Sequence, residues 1–211
     1  MPKAPKTQEE IDAVKAKILD AALEILYEDG FANLSMRKIA ARTEMTAANI
    51  YHYFSGKDEI YLAIQTGGFI ILHDRFNRIQ SSAEAPLAQM EKMIRAYIEF
   101  GLARKDQYEI MFSRNTPKYS DYVGTKLEPA ATIEKDAALR VAALSTRVIR
   151  RLDPAGGHMK PVAPHYQTIR IWTALHGIVS LMNSRVLPEV DPDTDAVIED
   201  LIKDLVNTFK D

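Results

Sequence analysis

A chain of 211 residues that is 46% apolar can bury a sizeable core, as one domain or as a small domain on a larger one. It has no cysteine, which excludes a disulfide scaffold and thiolate chemistry, and no apolar run near the roughly 18 residues that a bilayer demands. The formal charge is only −2, so affinity for nucleic acid would have to come from local placement rather than from the chain as a whole.

The start, Met1 to Thr7 with Lys3 and Lys6, reads as a tail, with a minor-groove arm as the other reading. It lacks the apolar stretch of a secretory signal, so a cytoplasmic protein is expected. Ile11, Val14, Ile18, Ala22, Ile25 and Leu26 recur at helical spacing and stop at Asp29-Gly30, where glycine caps a helix end. Ser35 is placed to cap a short helix carrying Ile39 and Ala40, and Thr46 to cap a second one with Ile50 and Phe54 on its inner side. Ser55-Gly56 breaks that helix. Asp58 and Glu59 then favour the first turn of a long one, which passes Ile60, Ile64, Ile71 and Phe76 with Gly67-Gly68 as an interruption.

Further helices are expected from about Pro86 to Ala103, from Asp106 to Phe112, up to Leu152, from Pro164 to Val186 and from Thr194 to Phe209. Thr116 to Pro129, broken by Pro117 and Gly124, is the segment with least pattern. No stretch alternates with period two, so the chain reads as all-α with about nine helices. Residues 1–65 form a three-helix helix-turn-helix domain in this reading, and 66–211 a larger helical domain.

At about 100° per residue, Ile50 and Phe54 set the core side of the helix that Thr46 starts, and Ala48 and His52 fall opposite. Thr46 and Ala47 sit at the N-terminal end, which meets base edges in a helix-turn-helix. Ala47 and Ala48 are small enough for close approach and can touch a thymine methyl. Asn49 can pair with a base or a phosphate, and Tyr51 and His52 offer donors to the backbone. Lys57, at the next helix start, adds its charge to exposed N–H groups, and Arg37 can do the same from the other side. Between residues 35 and 57, Arg37, Lys38, Arg42 and Lys57 are set against Glu44 alone, four cations to one acid. That is a compact basic footprint in a net-negative chain. A plain three-helix packing unit with a solvated basic face would also carry these cations.

In order and spacing, Ala22, Gly30, Phe31, Ile39-Ala40, Ile50-Tyr51-His52-Tyr53-Phe54 and Lys57 resemble the DNA-binding domain of the TetR family of bacterial regulators. The resemblance implies DNA contacts from Arg37, Thr46, Ala47, Ala48, Asn49, Tyr51, His52 and Lys57. One departure is Glu44, where the family usually has glycine; it implies a slightly different turn and an acid close to phosphates. Trp172-Thr173-Ala174-Leu175-His176-Gly177 and the Tyr108 to Phe112 segment are similar to one branch of that family. That likeness implies an effector cavity within the larger half and a homodimer through the last two helices.

From residue type, Met90, Met93, Tyr97, Phe100, Met111, Phe112, Trp172 and His176 are the cavity candidates, with Tyr97 and His176 as polar handles. For any one of them plain core is the commoner reading, since buried apolar residues need no ligand to explain them. The Thr194–Phe209 stripe, with nothing after it to cover an outer face, suits a subunit contact, and Gly177, Ser180 and Ser184 would admit a neighbouring helix closely. Gly67-Gly68 is either a close packing point or a hinge.

No nucleophile elbow, P-loop or dinucleotide fingerprint is present, and His52, His73, His158, His165 and His176 lack metal-ligand spacing, so neither enzyme activity nor a metal or cofactor is expected. Asp191 to Asp195 lacks the glycine and glutamate of a calcium loop and reads as a helix start. The resulting expectation is a homodimeric repressor that a small apolar or amphipathic effector releases from a palindromic operator. A DNA-binding regulator without an effector, and a helical interaction module that binds no DNA, are the alternatives.

Overall fold

The computed structural model describes residues 6–113, 116–152 and 164–209. Among these, all regular structure is helical: α1 (Gln8–Asp29), a 3₁₀ turn (Phe31–Asn33), α2 (Met36–Thr43), α3 (Ala47–Tyr51), α4 (Lys57–Gln80) and α5 (Pro86–Ala103). There follow α6 (Lys105–Phe112), α7 (Tyr119–Tyr122), α8 (Glu128–Leu152), α9 (Pro164–Asn183), α10 (Leu187–Val190) and α11 (Thr194–Asn207). The all-α expectation holds. The count exceeds the expected nine because α7 and α10 are single turns of four residues, too short to show a period. Lys3 in the N-terminal tail and His158 lie outside the described residues.

The described residues form two compact units. The first runs to Gly68 and adds Asp106–Lys135; the second comprises Phe69–Lys105 and the chain from Asp136. In the first, α1 starts on a reciprocal cap. The Thr7 hydroxyl accepts from the Glu10 amide, and the Glu10 carboxylate accepts from the Thr7 amide at 2.8 Å. The helix buries Ile18, Ala21, Ala22, Ile25 and Leu26, an i, i+3, i+4, i+7, i+8 stripe. At its end Gly30 takes φ 78°, and its amide reaches the Leu26 carbonyl. Leu34, Ile39, Ala40, Ile50, Phe54, Ile60, Tyr61 and Ile64 close the core over that stripe.

Ile110 of α6 belongs to the same core, although it lies far along the chain. The Tyr61 hydroxyl donates to its carbonyl at 3.0 Å, and Gln107 donates to the Ile64 carbonyl, also at 3.0 Å. These two bonds tie α6 to α4 through groups that are fully or almost fully buried, where unpaired polar atoms would be costly.

α4 is not interrupted at Gly67-Gly68; it runs unbroken through both. A Cβ on Gly68 would fall 2.2 Å from Met111 Sδ, whereas one on Gly67 would meet only Gln107 Nε2 at 3.8 Å. Gly68 is therefore a close-packing position, set by the approach of α6.

In the second unit α9 and α11 both pack against α5. Asp193 caps α11 by accepting from the Ala196 amide, in line with its reading as a helix start rather than a calcium loop. Arg95 of α5 holds Glu91 one turn away and Glu199 of α11. Asn183 of α9 donates to the Gly101 carbonyl of α5 at 3.2 Å. Of the α11 stripe, Leu205 is buried and Val197, Leu201 and Phe209 are half-buried; Ile202 and Val206 are buried as well, and the helix packs against α5. On α9, Tyr166, Ile169, Trp172 and Leu181 are exposed along with Thr173 and Ser180, and Ser184 just past its end is exposed too. Space around Gly177 is open.

Candidate nucleic-acid interface

The interface is built by three short-range devices within the first unit. Ser35 accepts from the Lys38 amide and starts α2; Thr46 accepts from the Asn49 amide at 3.1 Å and starts α3. Between them the chain turns at Glu44, with φ 56° and ψ 33°. Glu44 itself adopts the left-handed conformation that glycine takes freely, at a cost of roughly 1–2 kcal/mol for a side-chain-bearing residue.

α3 is shorter than expected. It ends at Tyr51, and Phe54 reaches the core from the turn beyond it, its amide still bonded to the Ile50 carbonyl. Orientation is nevertheless as expected for the core side: Ile50 is fully buried and Phe54 nearly so. Thr46, Ala48, Tyr51 and His52 are exposed, and Ala47 and Asn49 half-buried. Tyr51, 55% exposed, is a large aromatic ring that this core leaves to solvent.

α4 begins where the Glu59 carboxylate accepts both the amide and the hydroxyl of Ser55, at 2.6 Å each. Lys57, in the first turn, has its ammonium 4.7 Å from the centre of the Phe31 ring. That contact holds the charge in one place without neutralising it. Arg37 is exposed on α2.

The other two cations of the footprint are committed elsewhere. Lys38 pairs with Asp29 at 2.7 Å, and Arg42 bridges Glu28 at 2.8 Å and Glu24 at 3.1 Å. The hydrogen bonds that Arg42 donates to Glu28 and then Glu24 raise the guanidinium pKa above its ordinary value. Lys38 and Arg42 lie one turn apart and point at the acids of α1, whereas Arg37 is rotated away by about 100°. The fourfold basic patch of the sequence thus narrows to Arg37 and Lys57 as cations not engaged by carboxylates.

Sequence reasoning passed over Tyr53. It follows α3 directly, its ring packs on the core, and its hydroxyl accepts from Lys6 Nζ at 2.5 Å. The Lys6 ammonium is 5.2 Å from the centre of that ring.

The effector candidates divide between the units. Met111 and Phe112 lie in the first; Met90, Met93, Tyr97, Phe100, Trp172 and His176 lie in the second. Met90, Met93, Tyr97, Phe100 and Met111 are buried, and Phe112 and His176 half-buried. Trp172 Nε1 donates to the Tyr97 hydroxyl at 2.7 Å, and its ring lies 6.4 Å from that of His176. Partial burial lowers the His176 imidazole pKa below its usual value.

Residues 18–64 match the family of bacterial regulatory proteins named for tetR, and residues 90–205 match the tetracyclin repressor-like C-terminal domain. An HTH-type transcriptional regulator from the dhlA 5' region of Xanthobacter autotrophicus is 26% identical over 157 residues, spanning 62% of this chain and 74% of that protein. Two solved structures share the fold at 15% identity and a TM-score of 0.68. A fatty acid degradation regulator from Bacillus halodurans covers 96% of this chain and 97% of its own. A ketosteroid transcriptional regulator of Mycobacterium tuberculosis covers 92% and 94%.

Proposed function

The chain belongs to the TetR family of bacterial transcriptional regulators, and on that premise we propose that it is a homodimeric, ligand-responsive repressor, released from a palindromic operator by a small apolar or amphipathic effector. The first unit is the DNA-reading part. The observation that carries this is the outward face of α3: Ala48, Tyr51 and His52 stand exposed over a buried Ile50, and Arg37 and Lys57 retain charge for phosphates. Arg37, Thr46, Ala47, Ala48, Asn49, Tyr51, His52 and Lys57 are the contacts, base edges falling to the start of α3 and phosphates to the two cations.

The second unit serves dimerisation and effector binding. Its exposed α9 face is long, apolar and open at Gly177, which suits a second copy of the same helix. A dimer would set two copies of α3 at half-sites about 34–36 Å apart. The structural neighbours named for fatty acid degradation and for ketosteroids favour an apolar effector. No helix among the described residues is long and apolar enough to cross a membrane, which accords with a cytoplasmic regulator.

A regulator with no effector is the second reading, favoured by the near-complete burial of Met90, Met93 and Phe100, which core packing explains without a ligand. Footprinting on the DNA upstream of the protein's own gene, with and without a long-chain fatty acid or a sterol, separates the two. Protection lost on adding ligand supports the first; protection indifferent to every ligand supports the second; no protected site contradicts both.

A further inference from the structure

Lys6 sits at the end of the N-terminal segment, and one residue later the reciprocal Thr7–Glu10 cap fixes the chain to α1. Its position is therefore set by the fold. Its ammonium is bonded to the Tyr53 hydroxyl at 2.5 Å and lies 5.2 Å from the ring centre, beyond the hydroxyl rather than over the ring face. Tyr53 follows His52, comes two residues after Tyr51 and precedes Lys57 by four, so it lies along the chain between groups assigned above to DNA. The interaction places a cation from outside the helix-turn-helix at the far end of α3.

Its chemistry differs from that of the α2 cations. Lys38 and Arg42 are paired with carboxylates, and a phosphate would have to displace those anions. Lys6 is paired with a neutral hydroxyl. An ammonium carries three donors and uses one here, and the tyrosine oxygen accepts from it while keeping its own proton to donate. Two donors on the lysine and the phenol proton are thus left for a further partner at this exposed pair. The hydrogen bond to Tyr53 also restrains the ammonium before the partner arrives, which lowers the ordering cost of binding.

We propose that Lys6 is a DNA backbone-phosphate ligand, held in place by Tyr53, that extends the interface beyond the helix-turn-helix; the inference rests on the DNA-binding reading above. Such a contact is blind to sequence, and so it can be measured before any operator is known. The probe is a fluorescent random-sequence duplex titrated by anisotropy over a range of salt concentrations.

Each phosphate contact contributes about 0.9 to the slope of log Kobs against log salt. Lys6→Gln is expected to lower that slope by about 0.9 and to weaken binding roughly eight-fold at 0.1 M salt. Lys6→Arg should retain the slope. Tyr53→Phe, which keeps the ring and loses the hydroxyl, should fall between Lys6→Gln and the parent. Lys203→Gln removes the same charge from α11 in the other unit and should leave the slope unaltered. A slope unchanged by Lys6→Gln, or changed no more than by Lys203→Gln, overturns the phosphate assignment. A Tyr53→Phe protein that matches the parent overturns the role given to its hydroxyl. A parent that does not bind the duplex even at the lowest salt overturns the DNA-binding reading itself, and one that binds it without salt dependence overturns the phosphate assignment.

Discussion

Adjacent glycines in α4 should respond to alanine in opposite directions. Gly67→Ala adds a methyl whose contact with Gln107 Nε2, at 3.8 Å, is an ordinary one. The helix should then gain about 1 kcal/mol from the better propensity of alanine. Gly68→Ala brings the same gain, but its methyl would lie 2.2 Å from Met111 Sδ and 3.3 Å from Gln107 Nε2. Met111 is flexible yet 4% exposed, and Gln107 is tied to the Ile64 carbonyl, so neither has free space to enter. Overpacking of this kind costs about 1–3 kcal/mol. The two variants should therefore differ by about 1–3 kcal/mol, with Gly67→Ala above the parent and Gly68→Ala at or below it. Urea unfolding at one fixed protein concentration measures the difference. A Gly68→Ala/Met111→Ala pair should show coupling in a double-mutant cycle, because removing the methionine removes the clash. Equal stability of the two single variants, or a cycle with no coupling, would refute the close-packing account of Gly68 and revive the hinge.

Local geometry sets three further outcomes. Glu44→Gly should raise stability by about 1 kcal/mol through release of the left-handed backbone, while Glu44→Gln, which loses the charge but keeps the strain, should not; thermal melts distinguish them. Arg37→Ala should lower the salt slope of DNA binding by about 0.9, and Arg42→Ala should leave it nearly unchanged, since that guanidinium is held by Glu24 and Glu28. Burial lowers the His176 pKa from 6.5, so below about that value the unfolded chain binds more protons than the folded one. Stability should then decline as pH falls through that region, and His176→Gln should flatten the decline; urea midpoints taken from pH 7.5 to about 5 test both.

Local devices were the legible part of the fold. Ser35, Thr46 and Asp193 act as caps because each pairs its side chain with the amide three residues on, a relation contained in a few consecutive residues. The outward orientation of Ala48, Tyr51 and His52 follows from helical period and two apolar anchors. Contacts made at long range were not legible. Nothing in the period of α6 announces that Ile110 joins the core of the first unit, or that Gln107 reaches the carbonyl of Ile64. The same holds for Arg42, whose partners stand 14 and 18 residues away on another helix, so a count of local charge overstated the basic patch. Lys6 and Tyr53 are 47 residues apart, and no pattern in either segment links them. Gly67-Gly68 looked like a helix break because glycine propensity is local, while the packing of α6 that favours a glycine at 68 is not.

In the proposed function, DNA reading centres on α3. Its most direct test is anisotropy titration of the duplex protected upstream of the protein's own gene against a scrambled duplex of equal length, with the parent, Asn49→Ala and Ala48→Leu. The expected result is a preference for the protected sequence that either substitution reduces roughly ten-fold or more, the equivalent of about 1–3 kcal/mol of lost base discrimination, with binding to the scrambled duplex almost unchanged. Preference undiminished in both variants would contradict base readout by α3.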